Sequence, residues 1–410
     1  MDDDLARFRE RVRCFLSAHA ISPHVSSNAD PRGDHALDEA LGFQRALHTA
    51  GLAGLSVSPS FGGQGLPAAY ETAWREEAGS FPLMTEQLSI TLGNCLPTLL
   101  EFGTDVQRRR HVPRILAGRE VWCQLFSEPG AGSDLAAVTT RAVPAGGGWL
   151  VTGQKVWTTL AHRADFGILL ARTDPTATKH EGLSMFLVDL RAKGVEVRPI
   201  RQIDGAMHFD EVFLTDVFVP SDSLLATAGA GWRMASAMLH HQRVARATGQ
   251  RGGVRHDRTD LLLGEFRRRG LTDPVLQDRL VRLYIAEVCQ SLLVTRSVAT
   301  ATKGTDPGPV GSLGKLTNAL VARQFGDLVW RLVGADSLAW AGPALGHAGE
   351  IEPGAQWAAD AVFTLSLSIA GGTNEIQRSI IAERLLGLPR EPADPARTAV
   401  GARSGAEQDV

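Results

Sequence analysis

The spacing of apolar residues changes character twice along this chain, and those two changes constrain its fold more than any other feature. From Leu5 to about Gly118 the period is helical: Leu5, Phe8, Val12 and Phe15 fall on one face, and Leu37, Leu41, Phe43 and Leu47 repeat the theme. A helix over Thr104 to Leu116 closes this part, after a turn-rich loop from Ser58 to Pro67. From about Gly118 to Pro220 the rhythm shifts to short β-rich runs separated by turn residues: Phe166–Ala171, Leu183–Val188, Val195–Ile200 and Glu211–Leu214. After Gly231 the helical period returns. Val281, Ile285, Val288 and Leu292 form a stripe, and Asp273-Pro274 supplies a cap and a first-turn proline. The last helix is expected to start near Thr373 or Asn374, with Gln377 as capping partner, and to stop at Gly387 and Pro389. The class is therefore α+β. A helical N-terminal domain (1–118) precedes a central β-barrel or sandwich (119–225) and a C-terminal helical bundle (226–390). Residues 391–410 are Ala, Gly, Pro and charge, the composition of a disordered tail.

With 410 residues the chain can bury a large core, and a net charge of −3 gives no reason to expect nucleic acid or an anionic membrane as partner. Four scattered cysteines (Cys14, Cys95, Cys123, Cys289) have neither disulfide nor zinc spacing. The acidic start Met-Asp-Asp-Asp4 lacks the layout of a signal peptide, and no apolar run is long enough to span a bilayer. A cytoplasmic protein with reduced thiols is the expectation.

Chemistry concentrates in the first half of the β-region. Trp122-Cys-Gln-Leu-Phe-Ser-Glu-Pro-Gly-Ala-Gly-Ser-Asp134 runs from a strand into a tight turn, where Pro129, Gly130 and Gly132 leave N–H groups unshielded between the hydroxyls of Ser127 and Ser133. The Gly146-Gly-Gly148 turn then sends the chain back as a hairpin through Trp149 to Trp157. That return brings Trp157 and Thr159 within reach of the first segment. An indole plate beside two hydroxyls suits a flat heteroaromatic ring bearing carbonyls.

Other constellations carry less. Gly311-Ser-Leu-Gly-Lys315 has neither phosphate-loop spacing nor the companions of a Ser-x-x-Lys nucleophile, so it reads as a helix turn with an exposed lysine. No Gly-x-Gly-x-x-Gly follows a strand, and His240 and His241 have no metal-ligand spacing around them.

Three segments give the resemblance. Phe126-Ser-Glu-Pro-Gly-Ala-Gly-Ser-Asp134, Lys155-Val-Trp-Thr-Thr159 and Gly371-Gly-Thr-Asn-Glu-Ile-Gln-Arg378 resemble motifs of the acyl-CoA dehydrogenases, in that family's order and spacing, and the likeness extends over about residues 5 to 390. It is similar to the actinobacterial-type branch. The resemblance implies FAD, with Phe126, Ser127, Trp157 and Thr159 around the isoalloxazine, Ser133 near the thioester or the flavin, and Gly372, Thr373 and Glu375 near the flavin and its phosphates. It implies α,β-dehydrogenation of an acyl thioester of CoA or a carrier protein, electron transfer to an electron-transfer flavoprotein, and a homodimer, homotetramer or hetero-oligomer. In such a reaction a carboxylate removes the α-proton while the β-hydrogen leaves as hydride.

The base is missing from both positions the family uses. One is Gly371, whose N–H can still polarise a carbonyl. The other, in Met238-Leu-His-His-Gln-Arg243, is Gln242, nearly isosteric with glutamate yet unable to accept the proton. Arg243 follows and would support the local charge balance. Three explanations are open: an introduced Glu→Gln exchange, a base-less partner subunit in a mixed oligomer, or other chemistry, such as flavin-dependent monooxygenation or a different base. His241 is the nearest candidate, but it points about 100° away along a helix. The family's Arg-x-x-Phe-Gly motif is also absent. The region reads Arg255-His-Asp-Arg-Thr-Asp-Leu-Leu-Leu-Gly264, leaving Arg255 or Arg258 as candidates for the pyrophosphate.

Overall fold

The structure, a computed structural model, describes residues 2–19, 34–79, 81, 86–203, 205–248, 257–302, 309–338 and 353–390. Residues 391–410 and Arg255 lie outside that set, so the expected tail and one pyrophosphate candidate are not addressed by it.

Helices α1 (Asp2–His19), α2 (Asp34–Thr49), α3 (Ala68–Ala78), α4 (Leu96–Phe102) and α5 (Asp105–Leu116) come first, with a π-helical turn at Thr91–Cys95 leading into α4. Thr104 caps α5 in a reciprocal capping box with Gln107, which explains the sharp start there. Seven strands follow: β1 (Trp122–Leu125), β2 (Arg141–Ala145), β3 (Gly148–Thr159), β4 (Phe166–Arg172), β5 (Leu183–Asp189), β6 (Val195–Ile200) and β7 (Phe209–Pro220). They form one sheet in the order β1-β4-β2-β3-β7-β6, with β5 also on β4. Strand β1 pairs with β4 in parallel, and β2 and β3 form the expected hairpin. Helices α6 (Gly231–Thr248), α7 (Asp257–Arg268), α8 (Pro274–Thr302), α9 (Val310–Val333), α10 (Pro353–Ser366) and α11 (Asn374–Arg384) complete the chain.

Strand alternation puts helices on both faces of the sheet. Cys123 and Leu125 point into one apolar cluster with Phe186, Leu37 and Leu41, so α2 covers that face. Trp122 and Phe126 point the other way, into a cluster with Leu99, Ile115, Met234 and Met238 from α4, α5 and α6. The second cluster matters for function. It brings α6 over the strand that ends in the Phe126-Ser127 segment.

Three local expectations need correction. The stripe Val281, Ile285, Leu292 lies on α8, but these side chains are 56%, 54% and 57% exposed, whereas Leu280 and Leu283 are buried against α7 and α9. Periodicity shows that a helix has two faces; it does not say which one the same chain covers. Lys315 is also buried rather than exposed, because its turn of α9 faces α11 and its Nζ donates to Asn374 Oδ1 at 3.2 Å. Finally, Thr373 caps α11 by accepting from the Ile376 N–H, while the Gln377 amide reaches back to the Gly371 carbonyl instead of completing a capping box.

Candidate active site

The turn after β1 and the end of β3 are tied together at one point: the Val156 N–H donates to the Ser127 carbonyl at 2.9 Å. Trp157 is the next residue. It sits where the β3–β7 register shifts between Lys155 and Thr158, with φ of +60°, a left-handed conformation that costs a non-glycine residue about 1–2 kcal/mol. The bulge turns the indole outward. It is 58% exposed and touches the edge of Phe209 at 6.1 Å between ring centroids. A tryptophan held in a strained backbone and left uncovered is poorly explained as core.

Around it the site is open. Gly130 and Gly132 have no neighbour where a Cβ would stand, Ser133 is exposed, and Ser127 and Thr159 are half-buried. The Ser127 N–H meets no acceptor among the described residues. Exposed indole, free N–H and adjoining open turn together fit a flat, carbonyl-bearing ring of isoalloxazine type.

Beneath the site lies an ion pair. Lys155, fully buried, donates to Glu128 Oε1 at 2.8 Å and to the Phe126 carbonyl at 3.0 Å. Glu128 also accepts from the Thr139 N–H at 2.6 Å, the Thr139 hydroxyl at 2.8 Å and the Thr140 N–H at 2.9 Å. Burial pushes the Glu128 carboxyl upward, but the Lys155 ammonium and these donors outweigh that and hold it down to about 2. Burial is the larger influence on Lys155 and brings it down to about 8 despite its partner. The pair is charged at neutral pH.

On α6, Met234, Met238 and Gln242 follow one another at four-residue intervals, so all three share a face. The two methionines belong to the cluster that contains Phe126, and Gln242 is 9% exposed one turn further on. His241 turns aside, its Nε2 lying 3.0 Å from Glu101 on α4, as the helical offset requires. The Arg243 side chain lies outside the described set.

The glycines before α11 are both left-handed, Gly371 at φ +71° and Gly372 at +88°. A Cβ on Gly372 would lie 2.6 Å from Gln377 Nε2, so this turn depends on glycine. Glu375, in the first turn of α11, is exposed and pairs with Arg378 at 3.4 Å. Aromatic contacts link this end of the bundle to the β-domain: Phe363 of α10 lies 5.8 Å from His208, whose ring is tilted against Phe209 at 4.2 Å, and Phe209 in turn meets Trp157. Arg258 reaches Asn318 within the bundle at 3.5 Å.

Comparison with known proteins gives matches along almost the whole chain. Residues 2–119, 123–217 and 229–386 match the domains described as "Acyl-CoA dehydrogenase, N-terminal domain", "middle domain" and "C-terminal domain". Acyl-CoA dehydrogenase IpdE1 of Mycobacterium tuberculosis is 36% identical over 95% of this chain and 99% of its own length. The chain belongs to the acyl-CoA dehydrogenase family. Acyl-CoA dehydrogenase FadE34 of the same organism is 44% identical over 72% of this chain, which spans only 39% of that longer protein. Among solved structures, the ChsE4-ChsE5 complex from Mycobacterium tuberculosis superposes with a TM-score of 0.74 at 26% identity, covering 95% of this chain and 98% of that one. The Tcur3481-Tcur3483 steroid ACAD superposes with a TM-score of 0.76 at 25% identity, covering 95% and 98%.

As an acyl-CoA dehydrogenase, this chain is an enzyme of a flavoprotein oxidoreductase family of lipid metabolism with the mixed helix-and-sheet fold. Among the described residues no helix is long and apolar enough to cross a membrane. Sequence reasoning missed the roles of Lys155 and Glu128, although both lie inside the motifs that carry the resemblance. The signal available was a lysine on the buried side of an alternating strand.

Proposed function

We propose that this chain is an FAD-dependent dehydrogenase of an acyl thioester, carried by CoA or a carrier protein, in which Gln242 occupies the position of the proton-accepting base. One observation carries this reading. Gln242, 9% exposed, projects from the same face of α6 as Met234 and Met238, the face that packs over Phe126.

FAD would supply the hydride acceptor. Phe126, Ser127, Trp157 and Thr159 would hold its ring, Ser133 would meet the ring edge or the thioester, and Gly372, Thr373 and Glu375 would lie along its phosphates. In the first turn of α11 the Glu375 N–H is without an acceptor among the described residues and could serve such a ligand. The N–H of Gly371 would polarise the thioester carbonyl as negative charge builds there. Gln242 can orient the acyl group by donating a hydrogen bond, but it has no basic lone pair for the α-proton. Arg243 would balance charge beside it.

The lack of a carboxylate at both 242 and 371 favours a second reading, in which this chain is the base-less subunit of a mixed oligomer. The exposed apolar face of α8 supports it, and the similar ChsE4-ChsE5 structure is a complex of two chains. An electron-transfer flavoprotein would then accept electrons from the assembly.

The test is an anaerobic titration with a panel of saturated acyl-CoAs, using the protein as it stands and Gln242→Glu, each alone and co-purified with a Glu-bearing homologue. Flavin bleaching in Gln242→Glu, but not in the unaltered chain, supports the dehydrogenase site. Bleaching in neither variant, alone or paired, overturns it.

A further inference from the structure

The Phe126–Ser127 peptide is polarised from one end and unpartnered at the other. Its carbonyl accepts from the fully buried ammonium of Lys155 at 3.0 Å. Its N–H, that of Ser127, has no acceptor among the described residues, and the Ser127 carbonyl accepts from Val156, the residue before Trp157 with its exposed indole. A peptide is conjugated, so a cation on its oxygen draws electron density from its nitrogen and makes the N–H a stronger donor.

The ion pair is costly scaffolding if scaffolding is its only purpose. Two well-packed apolar residues hold two segments together at least as well as a buried Lys–Glu pair, whose desolvation offsets most of its attraction. An apolar pair cannot place positive charge on the Phe126 oxygen. The pair is also well anchored. Four donors fix Glu128 (Lys155, the Thr139 N–H and hydroxyl, and the Thr140 N–H), and Glu128 in turn fixes the ammonium.

We propose that Lys155 is a positioning residue for the redox reaction. Through the Phe126 carbonyl it aims and strengthens the Ser127 N–H toward the carbonyl-bearing edge of a flavin ring packed on Trp157, so that the reduced ring, which gathers negative charge on that edge, is favoured over the oxidised ring. This rests on the FAD reading above. Ser127 and Trp157 would touch the ring, whereas Lys155 acts through the peptide and touches neither ring nor substrate. Glu128 is the charged group that faces it.

The experiment measures the reduction potential and the affinity for oxidised FAD in the FAD-loaded protein, in Lys155→Met and in Lys155→Gln, by dye-linked titration at neutral pH. Removing the charge should lower the ratio of reduced-ring to oxidised-ring affinity about tenfold in both variants. For a two-electron couple that is about 30 mV downward. A purely structural role predicts weaker binding of both redox forms with an unchanged ratio, and that result overturns the proposal.

The unaltered protein supplies an independent measurement if neither variant folds. Its potential should fall more steeply with pH above the Lys155 ionisation, which lies near 8. A profile without that break sinks the inference while leaving the FAD reading intact. Protein that takes up no FAD removes both.

Discussion

Val156 gives its N–H to the Ser127 carbonyl at 2.9 Å, one residue before Trp157. Two segments nearly thirty residues apart are joined just before the strand bulges, and the indole stands 58% exposed instead of in the core. The bulge is local strain serving placement, which gives the first prediction.

Trp157→Gly should separate fold from ligand. The indole is 58% exposed, so its loss removes little buried area, and glycine relieves the +60° φ at a position where the wild-type residue is strained. Thermal stability should stay within about 1 kcal/mol of the parent. FAD retention, measured by the protein-to-flavin absorbance ratio after gel filtration, should drop at least about tenfold if the ring packs on the indole. A variant that keeps its flavin removes Trp157 from the site.

The two candidate base positions should respond differently to glutamate. Gln242→Glu changes one terminal atom on a helix that already places the side chain, so it should raise the rate of anaerobic flavin reduction by about 10²–10⁴, the usual contribution of a positioned base. Gly371→Glu forces a side chain onto a residue at φ +71°, ahead of a helix start whose Gly372 approaches Gln377 closely. It should lose stability by about 1–2 kcal/mol and gain little activity. Equal gains at both positions would show that the left-handed turn is not limiting.

Much of this was legible before any coordinates. The change of period corresponds to seven strands set between two groups of helices, and Asp273 caps α8 as its chemistry dictates, accepting from the Val275 N–H. What stayed hidden depends on the partner across a contact. Lys315 reads as a solvated lysine until α11 brings Asn374 to it, and the α8 stripe reads as core until Leu280 and Leu283 prove to face the bundle. Lys155 and Glu128 were visible as letters within two motifs. Their pairing required the hairpin to close.

That pairing has a pH signature. The Glu128 carboxyl, held down to about 2 by the Lys155 ammonium and by donors from Thr139 and Thr140 against the opposing effect of burial, binds its proton less readily folded than unfolded. Its stabilising contribution is therefore present above the unfolded value of 4.5 and is lost as pH falls toward 2. Glu265, held to about 2 chiefly by Arg268, adds to the same slope. Glu128→Gln should flatten the acid limb of the thermal-stability profile and lower stability at pH 7. An unchanged acid limb would mean that Glu265 and other carboxylates account for it.

His162 joins α2 to the β-domain and should act at the other end of the pH scale. Its Nδ1 lies 2.9 Å from the buried carboxylate of Asp210, and its Nε2 lies 3.0 Å from Asp34, the first residue of α2. The hydrogen bond to Asp210 is the largest influence raising the imidazole above its ordinary 6.5, and Asp34 adds to it against burial. A raised folded-state value means that the contribution is complete below 6.5 and fades as pH rises through the higher folded value. Amide exchange in α2 should therefore quicken from pH 6 to pH 9 beyond the intrinsic base-catalysed increase, and His162→Gln should abolish the excess. Arg163 holds Asp34 at 3.3 Å and Asp38 at 2.6 Å at any of these pH values, so the helix should loosen without detaching. If the excess persists in His162→Gln, the imidazole is not the group that titrates.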